Sequence, residues 1–237
     1  MIQGITGKVG GGKSLMALTQ MLDHFCAGRG CASNLELDLN AVARYCWRKG
    51  HRFCPSQFSL LDMENRRFHD QIKRGCKGHV FSVYIDEAHL FYSAEDFKNM
   101  DKEFNDVKAF VSQSRKVHVD LYLITQAWEN LWGQMRRHAE FVYKCRDYRN
   151  VSFGIFGTLP AWAGFALNWA RCDAATDMVM STGKTPITRY VTDCYSTSQV
   201  YDPMMKALLE RMPQYEPVFS KVGFLERMFR KPAIIEQ

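Results

Sequence analysis

No two of the eight cysteines, at positions 26, 31, 46, 54, 76, 145, 172 and 194, form a C-x-x-C pair. The nearest approach to a metal cluster is Cys46, His51 and Cys54, whose spacing fits no familiar zinc pattern. Scattered reduced thiols of a cytosolic protein are the expectation. Charge of one sign is not in large excess either: the net charge is +6, a mild basic balance compatible with a polyanionic partner. A typical membrane-spanning run is also missing. Val151 to Ala170 carries no charged residue, but Ser152, Thr158, Pro160, Asn168 and three glycines dilute its apolar content, so buried strand and loop are expected there. There is no internal repeat and no low-complexity linker. With 46% hydrophobic and 24% charged residues in 237, the composition is that of a soluble globular protein. The length suits one large α/β domain, or one domain with a small appendage.

What the chain does have begins at once. Gly7-Lys8-Val9-Gly10-Gly11-Gly12-Lys13-Ser14 fits the phosphate-binding pattern G-x-x-x-x-G-K-[ST] without a mismatch. A glycine-rich turn lets successive backbone N–H groups close around a phosphate chain, and the helix that follows adds the positive end of its dipole. Lys13 would reach the β- and γ-phosphates of ATP, and the Ser14 hydroxyl would ligate Mg²⁺. Residues 7–14 with Leu15 are the expected nucleotide site. The flanks agree: Met1 to Thr6 reads as a short buried strand, and Leu15, Leu18, Leu22 and Phe25 recur at helical spacing until Gly28-Arg29-Gly30. A signal peptide is not expected, because the phosphate loop occupies the place where one would lie.

Beyond that unit, strands and helices alternate, which predicts a parallel sheet covered on both faces. Cys31 to Leu39 reads as a strand and residues 59–74 as a polar helix. Residues 80–85 form a strand, 101–116 a helix, 119–124 a strand, 128–139 a helix and 141–146 a strand. Asp202-Pro203 opens a further helix over 202–212 by an N-cap followed by proline at the first helical position. Between the second strand and the polar helix lies the basic, aromatic run Arg44, Tyr45, Trp47, Arg48, Lys49, Arg52 and Phe53, which is either a solvated helix face or a nucleic-acid contact.

Tyr84-Ile85-Asp86-Glu87 is the second informative motif. An acidic residue at the tip of a buried strand, Asp86, can hold the Mg²⁺ shell beside the phosphate loop, and the adjacent Glu87 can polarise a water for attack on the γ-phosphate. Thr125-Gln126 ends the next strand on the same sheet edge, where Gln126 can sense the γ-phosphate or orient the water. Arg115 and Lys116 close the preceding helix. They either complement its dipole or, for Arg115, supply an arginine finger to a neighbouring subunit's nucleotide.

These residues together resemble the zonula occludens toxin family, which includes the assembly ATPases of filamentous bacteriophages within the FtsK–HerA superfamily of DNA-translocating motors. The carrying segments are MIQGITGKVGGGKSLMAL (1–18), GRGCASNLELDL (28–39) with its strand-end pair Ser33-Asn34, VYIDEAH (83–89), SRKVHVDLYLITQ (114–126), EFVYKCRDYRNVSFGIFGTL (140–159) and TDCYSTS (192–198). The resemblance implies a P-loop NTPase fold, with a central mostly parallel sheet sandwiched by helices. It further implies a homo-oligomeric ring, a phage genome as the DNA partner, and phage structural or membrane proteins at the assembly site. Family members of filamentous phages usually carry a transmembrane helix after this domain. Here residues 222–231 are instead a short basic amphipathic stretch. Two readings stay open: an unanchored relative such as a genome-packaging ATPase of a tailless phage, or a fragment cut before the span.

The expected organisation is an ATPase domain over 1–200 and a helical, basic amphipathic tail over 201–237. That tail either packs on the core or makes a peripheral contact with membrane or protein. The expected function is ATP hydrolysis coupled to DNA movement in virion assembly or genome packaging. It would act in the host cytoplasm, at the inner membrane or at the packaging vertex. The rivals are a small-molecule P-loop kinase, for which no lid motif is recognisable, and a non-hydrolysing nucleotide-binding interaction protein, against which Glu87 argues.

Overall fold

The two strands that carry the motifs, β1 (Ile2–Thr6) and β4 (Phe81–Ile85), are buried along nearly their whole length. Both therefore read as short apolar runs rather than as alternating ones. The structure, a computed structural model, describes residues 1–63, 68–94, 103–146 and 166–195. Among them, eight strands form one sheet in the order β3-β2-β4-β5-β1-β6-β7-β8. The others are β2 (Cys31–Ser33), β3 (Phe58–Leu60), β5 (Val119–Thr125), β6 (Ala139–Arg146), β7 (Ala166–Asp173) and β8 (Val179–Pro186). From β3 to β6 every pairing is parallel, and β7 and β8 add an antiparallel edge.

Alternation along the strands sorts side chains to two layers. Phe81, Val83 and Ile85 share one core with Val119, Leu121 and Leu123. Val107 and Val111 of α4 (Glu103–Gln113) and Met135 of α5 (Gly133–His138) complete it. In the opposite register Tyr84 and Tyr122 stack at 4.3 Å between ring centroids. The Tyr84 hydroxyl is 3.3 Å from His24 Nδ1 of α1 (Lys13–Cys26). Helix α1 thus seats the phosphate-loop side of the molecule on the sheet through an apolar stripe, Leu15, Leu18, Leu22 and Phe25, all buried.

Several predicted elements are corrected. The strand expected over Cys31–Leu39 stops at Ser33, because Asn34 turns to bond the end of β4. Asp38 then caps α2 (Leu39–Arg48), its carboxylate accepting from the N–H groups of Asn40 and Ala41. Among the described residues of 59–74, which leave out 64–67, the expected polar helix does not form. Phe58–Leu60 pairs with Cys31–Ser33 as β3, and a single 3-10 turn covers Phe68–Asp70. Strand pairing overrides a weak local preference there. The helix expected over 128–139 is divided into a 3-10 turn, Trp128–Asn130, and α5, because buried Leu131 is drawn into the core between them. The helix expected over 101–116 ends at Gln113 and continues as a 3-10 turn to Val117.

Of the charge-free segment, residues 166–170 lie in β7, between β6 and β8. The remainder, 151–165, lies outside the described residues. So do the family-like residues 147–159 and 196–198 and the helix expected over 202–212. All described residues belong to the unit Met1–Gln199, and the basic tail expected over 201–237 falls outside them. No helix among the described residues is long and apolar enough to cross a membrane.

Candidate active site

Parallel pairing brings the carboxyl ends of β1, β4 and β5 to one edge: Thr6 is level with Thr125, and Ile85 with Leu123. Ligands of open α/β sheets bind at that edge. The loop leaving β1 passes hard against β6. A Cβ on Gly7 would stand 2.6 Å from the Cys145 carbonyl oxygen, so only glycine fits. Gly12, the N-cap of α1, has φ 83° in the left-handed region, a turn that L side chains resist. Between them the Gly11 N–H donates to the Lys8 carbonyl at 2.9 Å, closing the loop. Lys13 is buried, with only 7% of its surface exposed, yet its ammonium finds only the Lys8 carbonyl, at 3.3 Å, among the described residues. Helix α1 opens with no side-chain cap and no acidic residue in its first turn, leaving its leading N–H groups and positive dipole end for an anion. Leu15 is buried under the loop, while Val9 projects from it.

Asp86 ends β4 directly beside the loop. The Ser14 hydroxyl donates to Asp86 Oδ2 at 2.8 Å. Asn34 holds the Asp86 backbone on both sides, accepting from its N–H at 2.7 Å and donating to its carbonyl at 3.0 Å. Burial pushes the Asp86 carboxyl up to about 6. The Glu87 charge adds to this, while the Ser14 hydrogen bond and the Lys13 ammonium pull it back. Glu87 follows with φ 48°, a strained value for a residue with a Cβ. Its Oε1 accepts from Gln126 Nε2 at 3.4 Å, so the ends of β4 and β5 meet at this carboxylate. The Tyr195 phenol is pushed up mainly by burial; Ser14 pulls it back and the Asp86 charge adds to the rise, which places Tyr195 near the same carboxylate.

The sequence-derived residues are thus gathered with one exception. Residues 7–15, Asp86, Glu87 and Gln126 share the carboxyl edge, whereas Arg115 ion-pairs Glu140 at the opposite edge, where β5 and β6 begin. Asn34, His89 and Tyr195 were not assigned roles from sequence. All three do stand inside the family-like segments, 28–39, 83–89 and 192–198, and for Asn34 a polar residue directly after a strand is the signal that marks it. Cys46, His51 and Cys54 hold no metal-like arrangement. Among the described residues no group of three or more potential ligands does.

The family model described as Zonular occludens toxin (Zot) matches residues 1–180. The chain belongs to the zonular occludens toxin family. Among its relatives, the gene 1 protein of Enterobacteria phage fd is 26% identical over 163 residues, covering 65% of this chain and 44% of that protein. The gene 1 protein of Enterobacteria phage f1 matches to the same extent. The chain therefore spans less than half the length of the curated relatives it matches. In fold it is similar to the N-terminal domain of zonular occludens toxin from Neisseria meningitidis. The TM-score is 0.51 at 14% identity, over 82% of this chain and 98% of that one. The phosphate loop between β1 and α1, on a mostly parallel sheet, makes this Zot-family chain a P-loop NTPase in fold.

Proposed function

We propose that the protein hydrolyses ATP and couples that hydrolysis to the movement of phage DNA during virion assembly or genome packaging. The observation that carries the chemistry is the Ser14–Asp86 hydrogen bond, which joins the phosphate loop to the strand end bearing Glu87. Residues 7–15 would wrap the triphosphate, with loop N–H groups and Lys13 meeting its charge. Ser14 and Asp86 offer hard oxygen ligands of the kind Mg²⁺ takes, and Asp86 would act directly or through water. When bound, the ion would neutralise charge on the β- and γ-phosphates. Glu87 takes a proton from water, the water oxygen bonds to the γ-phosphorus, and the bond to the β-phosphate oxygen breaks, leaving ADP and phosphate. Gln126, bonded to Glu87, is placed to orient the attacking water.

Arg115 is too far across the sheet to serve its own site, so its finger role requires a neighbouring subunit in a ring. The basic, aromatic run supports a DNA partner: Trp47 is 71% exposed on α2, and the Arg48 guanidinium lies 3.9 Å over the Tyr190 ring. Membership of a family found in phages supports the assembly role, at the host inner membrane or a packaging vertex. The division into an ATPase domain over 1–200 and a tail over 201–237 that contacts membrane or assembly proteins is proposed on the same basis.

The test is ATP turnover with and without single- or double-stranded DNA, with the oligomer's mass measured alongside. Turnover stimulated by DNA in a ring-sized particle is expected. Tight ATP binding with no turnover under any condition would overturn the motor and leave a nucleotide-dependent interaction protein.

A further inference from the structure

His89, the second residue of α3 (Ala88–Phe91), sits against the Glu87 carboxylate. Its Nδ1 lies 3.4 Å from Glu87 Oε2 and 3.3 Å from Thr125 Oγ1. Thr125 is fully buried, and its single hydroxyl hydrogen is directed to the Ala127 carbonyl at 3.1 Å. In that arrangement its oxygen accepts, and the tautomer consistent with it carries the proton on the ring nitrogen facing Thr125. The same N–H faces Glu87 Oε2, a buried oxygen with no hydrogen bond of its own among the described residues. The other carboxylate oxygen, Oε1, accepts from Gln126. Gln126, after β5, thus bonds one carboxylate oxygen and His89 of α3 stands 3.4 Å from the other, around a backbone held at positive φ.

We propose that His89, anchored on Thr125, is a positioning residue that sets the direction of the Glu87 carboxylate for water activation. The inference rests on the reading of Glu87 as the base. A base must present its lone pair to a water lying in line with the γ-phosphate, and a carboxylate free to rotate does so only part of the time. An N–H held on a buried threonine at 3.3 Å, with Oε2 3.4 Å from the same nitrogen, biases the carboxylate toward one orientation by charge–dipole attraction, short of a full hydrogen bond. The water's proton goes to Glu87, and the His89 proton stays where it is.

The experiment compares His89→Ala, His89→Asn, His89→Gln, Glu87→Gln and the Glu87→Gln/His89→Ala double variant. Steady-state ATP hydrolysis and binding of a fluorescent ATP analogue are measured for each. Removal of the ring should lower kcat by about 10- to 100-fold with KM and nucleotide affinity nearly unchanged. The asparagine amide nitrogen falls where Nδ1 stands and should restore most of the rate. The glutamine amide nitrogen falls where Nε2 stands and should restore little. The double variant should be no slower than Glu87→Gln alone, since His89 acts through Glu87. Wild-type kcat in His89→Ala beside a slow Glu87→Gln would overturn the proposal and leave the base intact. So would a further loss of the same factor in the double variant. Normal turnover in Glu87→Gln would overturn both. If His89→Ala proves unstable, the asparagine and glutamine variants decide: equal rates in these two refute the positioning role.

Discussion

The Ser14 hydroxyl and the Asp86 carboxylate, 72 residues apart in the chain, are joined by a hydrogen bond of 2.8 Å. The two motifs point both residues toward one metal ion, and the sheet supplies the direct contact between them. Their contact follows from β4 entering the sheet next to β5, and β5 next to β1, all in parallel, so that both tips arrive at one edge. Asp86 is buried there and its carboxyl is raised to about 6, so it gains from a cation that would hold it ionised.

Lys13→Ala and Glu87→Gln should separate binding from chemistry. Loss of the buried ammonium should weaken ATP binding by about 2–5 kcal/mol, the scale of removing one partner of a desolvated charge pair. Glu87→Gln should bind ATP as the parent does and hydrolyse it about 10²–10⁴ times more slowly. Calorimetric titration and phosphate release read the two effects, and wild-type affinity in Lys13→Ala would remove the phosphate-loop assignment.

Asn34→Ala should destabilise the fold. It strips the hydrogen bonds from the buried N–H and carbonyl of Asp86, at about 1–3 kcal/mol for each group left unpaired. Asn34→Asp should be worse, because a carboxylate cannot donate to the Asp86 carbonyl and adds like charge beside it. Thermal unfolding measures both, and a melting temperature equal to the parent's in Asn34→Ala would show that the clamp is not needed.

Stability against pH should expose His24. Burial, its largest influence, lowers the imidazole from 6.5 to about 4, with Arg29 adding to the effect. The unfolded chain takes up this proton below about 6.5, whereas the fold resists it down to about 4. The contribution is complete above pH 6.5 and is lost as pH falls through that window. It amounts to about 3 kcal/mol, taking roughly 1.4 kcal/mol per pH unit. Asp86, raised rather than lowered, works in the opposite sense, its contribution lost as pH rises from about 4 to about 6. The difference between wild type and His24→Gln isolates the histidine, and His24→Gln should become relatively more stable as pH falls from 6.5 to 4. A difference independent of pH would refute the neutral, half-buried imidazole.

DNA binding should depend on salt through the run on α2 and its continuation. Replacing Arg48, Lys49 and Arg52 by Gln should flatten the slope of log affinity against log salt, by roughly 0.7–0.9 for each phosphate no longer neutralised. Arg48 lies over Tyr190, so its replacement should also change the environment of that ring, which tyrosine fluorescence can follow. An unchanged slope would place the DNA interface on another surface.

The candidate nucleotide site is legible in the sequence where its parts are contiguous. Gly7 to Leu15 form one loop and one helix start, and Asp86-Glu87 follow one strand. Backbone chemistry demands those residue types in that order. Arg115 could be read only as a charge at a helix end. Its partner, Glu140, comes from β6, which no local pattern pairs with it. The stretch 59–74 looked helical because its polar residues carry no strand signal. Ser59 and Leu60, with Phe58 before them, become a strand only because Cys31–Ser33 offers an edge.

By itself, then, the sequence determined the phosphate loop, the acidic strand tip and the α/β alternation, since each rests on interactions within a few residues or on a short periodicity. The order of strands was decided by the tertiary structure. So were the grip of Asn34 on Asp86, the approach of Gln126 and His89 to Glu87, and the withdrawal of Arg115 to the far edge. These depend on which buried strands lie side by side, and that choice is made by the packing of the whole core rather than by any segment within it.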